Sequence, residues 1–154
     1  DSPGAVATPF EQLAAVDFDP QGAAPREENP DLVPLAIDGD TSTSWRTATY
    51  RQNFGPGGLK SGVGLVVDLG ATLGVREVAV AVEGGQTDLA AFVTQTSPTG
   101  VADLSPVGEA SGDGELLISL DEAVSGQYVT VWLTSLPAVD GGFRGVISEV
   151  EVRG

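Results

Sequence analysis

The stretch Leu35-Ala36-Ile37-Asp38-Gly39-Asp40-Thr41-Ser42-Thr43-Ser44-Trp45 gathers two acids, a glycine, a run of hydroxyls and a tryptophan. Gly39 lets the backbone turn sharply, so Asp38 and Asp40 can aim carboxylate or carbonyl oxygen at one point. Thr43 adds a hydroxyl on the far side of the turn, and Trp45 supplies an apolar anchor for the loop. An oxygen-rich turn of this kind suits a hard cation that takes roughly 6–8 oxygen ligands, as calcium does. The same spacing equally makes an Asp-Gly turn capped by its own side chains. An EF-hand is excluded, because the later acids and the twelfth-position Glu are missing.

A second constellation follows directly. Residues 46–60 hold Arg46, Arg51 and Lys60, three of the seven basic residues, with Tyr50 and Phe54 between them. Guanidinium and aromatic groups together suit a sugar that also carries a carboxylate or phosphate. Arg144, in Gly142-Phe143-Arg144-Gly145, is placed to approach the same end of the molecule. The competing reading is that these cations neutralise nearby acids while the aromatics cover the core.

Composition narrows the chemistry. With 22 acidic residues against seven basic ones, the net charge of −15 argues against nucleic acid and anionic membrane surfaces. Histidine and cysteine are both absent, which removes the commonest general base and every thiol nucleophile. Asp121-Glu122 and Asp38/Asp40 are paired carboxylates, the minimum for glycoside hydrolysis. Neighbouring acids on a short turn diverge, however, and no catalytic role is expected. No apolar run reaches the roughly 18 residues of a membrane span.

The elements that must position these residues read as strands. At 154 residues the chain suits one domain that buries roughly two-thirds of its unfolded surface. Residues 1–11 read as a linker or disordered tail, rich in Pro, Ala and Gly over Asp1 to Pro9, and 12–154 as the domain. A first edge strand is expected at 14–19, and a proline-punctuated loop at 20–34. Further strands are expected at 64–69, 75–83, 91–96, 115–120, 128–134 and 146–152. Val78, Val80 and Val82 share one face, and Gly84-Gly85 ends that strand. Many short strands with Gly and Pro between them predict an all-β sandwich. The missing Met predicts that position 1 lies inside a longer chain.

The run Ala36-x-Asp38-Gly39-Asp40-x-x-Thr43-x-Trp45, with Ser148-Glu149-Val150-Glu151-Val152 near the end, resembles the paired signatures of discoidin-type domains. These are coagulation-factor C-type, galactose-binding-like modules, and the two signatures span nearly the whole chain. The resemblance implies a jelly-roll β-sandwich that binds carbohydrate without catalysing a reaction. It also implies a calcium site with Asp38, Thr43 and Glu149 as side-chain ligands and the carbonyls of Leu35, Asp40 and Ser148 completing the shell. More narrowly, Leu59-Lys60-Ser61-Gly62-Val63-Gly64-Leu65 and Val146-Ile147-Ser148-Glu149-Val150 resemble the extracytoplasmic C-terminal domain of actinobacterial MviN/MurJ-like proteins. In those, a lipid II flippase is fused to a kinase-like domain. That resemblance implies a cell-surface location, tethered by an upstream membrane span. Its partners would be a cell-wall glycan, a lipid-linked peptidoglycan precursor or an envelope protein. The alternative is an interaction or spacer domain that keeps the fold without the sugar site.

Overall fold

Val78, Val80 and Val82 alternate with Ala79, Ala81 and Glu83, and all three valines are buried in one apolar cluster with Leu65, Val131 and Ile147. That alternation organises the computed structural model, which describes residues 9–10, 14–22, 27–54 and 60–154. Its strands are β1 (Ala14–Phe18), β2 (Trp45–Arg46), β3 (Val63–Thr94), β4 (Gly108–Ser135), β5 (Ala138–Val139), β6 (Gly142–Phe143) and β7 (Val146–Arg153).

β3 and β4 are long ribbons that fold back on themselves, and their antiparallel pairing defines two layers. In one layer β1 pairs with 63–68, then 128–133, then 88–94, with 108–112 beyond. In the other, 114–119 pairs with 77–82, which pairs with β7, which pairs with β2. The separate strands expected at 64–69, 75–83 and 91–96 are thus passes of one ribbon. Gly70, Gly84 and Gly85 bend it at positive φ (81°, 91° and 133°) where a break was expected. Glycine adopts those angles without a Cβ clash, so pairing resumes across the bend.

The core lies between the layers, with Trp45, Leu65, Leu133 and Ile147 among its largest fully buried side chains. A second cluster of Phe18, Val66, Phe92 and Trp132 covers the other side of the first layer. There Phe18 and Trp132 meet edge to face at 5.6 Å. Both tryptophans are buried, as a jelly roll of this pattern requires.

Two segments depart from expectation. Within the proline-rich 20–34 region, Pro30–Ala36 winds into a 3-10 helix that buries Val33 and Ala36. Pro30 sits at its start and Pro34 inside it, and proline's fixed φ suits this tighter winding. Most of the expected leader, 1–8 and 11, lies outside the described residues. Pro9 and Phe10, however, bridge the last strand: Pro9 pairs with Arg153, and the Phe10 N–H donates to Val152 O at 2.9 Å. No helix among the described residues is long and apolar enough to cross a membrane.

Candidate functional site

Residues 45–54 form a loop shaped from beneath by Glu28 and Asn29. The Trp45 indole N–H donates to Glu28 O at 2.8 Å, and Asn29 Nδ2 donates to Arg46 O at 2.7 Å. The Glu28 carboxylate accepts from the Ala48 N–H at 2.6 Å and from the Tyr50 hydroxyl at 2.7 and 2.8 Å to its two oxygens. Lys60 Nζ then donates to Tyr50 Oη at 2.9 Å and stands 4.7 Å from that ring's centroid. It lies 2.9 and 3.0 Å from the two oxygens of Asp19. Glu28 and Asp19 are both buried. The sequence reading missed them, because acids in a proline-rich stretch carry no periodicity that would mark them as interior.

Burial raises the Glu28 carboxyl above its ordinary range, against the opposing pull of its hydrogen bonds from Tyr50 and Ala48. Burial, followed by the neighbouring Glu28, also holds the Tyr50 phenol protonated well above the usual tyrosine range. Because the folded state binds the Glu28 proton more tightly than the unfolded chain, this stability is full at low pH. It is lost as pH rises through the raised folded value. On lowering the pH from about 7 to about 5, thermal stability of the wild type should therefore improve relative to Glu28→Gln. Parallel melting curves for the two proteins would remove Glu28 as the source.

Above this network lies a largely apolar pocket of about 350 Å³, lined by Thr49, Tyr50, Arg51, Gln52, Phe54 and Lys60. Tyr50 and Phe54 meet edge to face at 5.0 Å. Tyr50 and Phe143 exchange backbone hydrogen bonds of 2.8 and 2.7 Å, which brings the 46–54 and 140–145 loops together at the Val146 end of β7. Of the six residues expected to contact a ligand, Tyr50, Arg51, Phe54 and Lys60 line the pocket. Arg46 is exposed on β2 next to Val146. Among the described residues, neither Arg46 nor Arg51 forms an ion pair. Arg144 is half-buried, and its Nε has no hydrogen-bond partner. Lys60 differs from the arginines, since Asp19 already meets its charge.

The acidic turn is equally explicit. Thr43 Oγ1 lies 2.6 Å from Asp38 Oδ2, 3.0 Å from Asp40 O and 3.5 Å from Leu35 O. Glu149 reaches in from β7, where its Oε1 accepts from the Gly39 N–H at 3.0 Å. The Asp40 carboxylate turns away to accept from Ser42 Oγ at 2.6 Å and Ser42 N–H at 2.9 Å, which lowers its pKa. Burial raises that of Glu149, and Asp38 nearby adds to the effect. The Ser148 hydroxyl points elsewhere and donates to Ala81 O at 3.3 Å. Among the described residues, no three acid side chains cluster closely enough to hold an ion by themselves. The other oxygens gathered at the turn are the carbonyls of Leu35 and Asp40 and the Thr43 hydroxyl.

The module CBM32 of AlyQ, solved with 4,5-unsaturated mannuronic acid, superposes on 96% of this chain and 98% of its own, with a TM-score of 0.61 and 17% identity. The two share the jelly-roll β-sandwich fold. The family 32 module of NanJ from C. perfringens, solved with galactose, shares it over 97% of this chain and all of its own (TM-score 0.60, 16% identity). So does chitosan-binding module 1 of a chitosanase/glucanase from Paenibacillus sp. IK-5, over 93% of each chain (TM-score 0.61, 19% identity). Against truncated AlyQ with its alginate lyase domain, the jelly roll spans 34% of the longer chain (TM-score 0.66, 18% identity). No protein-family model matches the sequence.

Proposed function

We propose that this jelly roll is a non-catalytic carbohydrate-binding module that takes an anionic sugar on the 46–54 loop. The carrying observation is the pocket at Tyr50 and Phe54, which Arg51 lines while exposed and without an acid partner among the described residues; Arg46, likewise exposed and unpaired, stands on β2 at the start of the same loop. Aromatic edges and faces suit the apolar side of a pyranose, and a free guanidinium pairs bidentately with a carboxylate. The similar fold of a module solved with a mannuronic acid supports that choice of ligand class. We place the module outside the cytoplasmic membrane, tethered upstream, with a cell-wall glycan or lipid-linked peptidoglycan precursor as its partner. That setting rests on the sequence resemblance of residues 59–65 and 146–150. No catalytic residues are assigned, in keeping with the absence of His and Cys.

Titration with a mannuronate trisaccharide, a muramyl peptide and galactose tests this reading. The acidic ligands are expected to bind more tightly, and their binding to weaken with salt as screening sets in over about 8–10 Å. Arg46→Ala and Arg51→Ala should each lower affinity about tenfold with little change in melting temperature. Absence of binding to every sugar would leave the interaction or spacer reading. That reading has its own support: the Tyr50 hydroxyl and the Lys60 ammonium are both satisfied within the protein.

The acidic turn fits calcium. Thr43 has one hydroxyl proton for three oxygens within 3.5 Å, so at least two of those close oxygen pairs have no hydrogen between them. A hard cation among Leu35 O, Asp38, Asp40 O, Thr43 and Glu149 would separate those oxygens and offset the acidic charge, with Ser148 O as the further expected ligand. At about a hundred times its dissociation constant, calcium should add about 2.7 kcal/mol. For a chain of this size that raises the melting temperature by roughly 5–10 °C, and EDTA should reverse it. An unchanged melt would exclude the ion.

A further inference from the structure

We propose that Glu28 is the positioning residue of the ligand loop, holding Tyr50 and the backbone at 45–50 in the shape that forms the pocket; this rests on reading that loop as the sugar site. Glu28 touches the loop at three points: Trp45 through its carbonyl, and Ala48 and Tyr50 through its carboxylate. Its own N–H donates to Asp17 on β1 at 2.6 Å, so the residue is anchored to the sheet while it shapes the loop. Asn29, the only described non-glycine residue at positive φ (54°), follows it and holds Arg46 O. A left-handed asparagine is what allows two successive residues to present a carbonyl, a carboxylate and a carboxamide to one loop.

The carboxylate matters for its acceptors. Ala48 N–H and the Tyr50 O–H both donate to it, and Tyr50 Oη is left to accept from Lys60. A carboxamide has one acceptor oxygen and an NH₂. If that oxygen keeps Ala48, the NH₂ faces Tyr50 Oη, which already receives the Lys60 proton. The Tyr50 hydroxyl must then turn its own proton elsewhere, and the ring that lines the pocket moves with it. The charged and titratable groups packed around Glu28 are Asp17 and Asp19 from the β1 side, Tyr50 from the loop, and Lys60.

Glu28→Gln is the informative variant, because it keeps side-chain volume and one acceptor. The glycan arm is titration with the mannuronate trisaccharide, where affinity should fall about tenfold while the melting temperature at neutral pH holds. The ligand-free arm uses a Tyr128→Phe background, in which Tyr50 is the sole phenol. Its ultraviolet titration should stay suppressed where an ordinary phenol, at about 10, ionises, and Glu28→Gln should bring it down by a unit or more. Amide exchange at Ala48 and Tyr50 should quicken in the same variant. If phenol titration and exchange match the parent, or if the trisaccharide binds both proteins equally, Glu28 does not position the loop. If both ligand-free readouts respond but the parent binds no sugar, the glycan reading fails and the positioning role stands. Asp19→Asn provides a control: it disturbs Lys60 without touching Ala48, so it should leave amide exchange at Ala48 unchanged.

Discussion

Trp45→Ala should lower the unfolding free energy by about 3–5 kcal/mol, among the largest single-residue effects in the molecule. The indole is fully buried between the layers, and its N–H makes the 2.8 Å bond to Glu28 O. Removing it leaves a cavity in the core and strands a buried carbonyl at the base of the ligand loop. At roughly 2–4 °C per kcal/mol, the melt should fall by about 6–20 °C. Trp45→Phe separates the two contributions. It restores most of the apolar volume but no donor, so about 1–3 kcal/mol should remain lost. A phenylalanine variant as stable as the wild type would show that the indole hydrogen bond contributes nothing.

The second large effect is expected at Gly142. Its φ is 151°, and a Cβ there would meet Tyr50 O at 2.0 Å and Tyr50 C at 2.9 Å. Neither neighbour is a flexible tip, because both belong to the backbone that pairs with Phe143. Gly142→Ala should therefore cost about 2–5 kcal/mol, from a disfavoured φ together with overpacking. The damage is local to the joint between the 46–54 and 140–145 loops. If the loop takes a sugar as proposed, that affinity should fall with stability, and the Tyr50 and Phe143 amides should lose exchange protection. Gly141→Ala is the comparison: its φ is 88°, yet nothing stands within 4 Å of its Cβ. It should show the strain without the collision, and equal losses at both positions would refute the steric argument.

Much of the fold was legible, because it depends on alternation and on glycine. Val78, Val80 and Val82 announced a half-buried strand, and Trp45 announced its role as the apolar anchor of its loop. The acidic turn was legible because its contacts are local: Asp38, Asp40 and Thr43 lie within six residues. Glu149 came into view only through the family signature, since nothing in local spacing links it to a residue 110 positions away. Asp19 and Glu28 stayed hidden for a related reason. A buried acid is recognised by its partners, and theirs are Lys60, Tyr50 and Ala48, all distant in sequence. The helix at Pro30–Ala36 was hidden by its prolines, which break an α-helix but suit a 3-10 turn.

The course of β7 has a mechanical consequence. The strand runs from Val146, beside the arginine-bearing loops, to Arg153, beside Pro9 and Phe10. At about 3.3 Å per residue those poles stand roughly 23 Å apart. If the 46–54 loop takes a sugar as proposed, a tether joined at the Pro9 and Arg153 pole would hold that loop at the far end of the strand from its attachment. Copies strung in series, or a copy held on a stalk, could then each lay their pocket on one long polymer without shadowing a neighbour. In that arrangement a weak grip at each pocket becomes a firm hold through number, because each further contact is made at high local concentration.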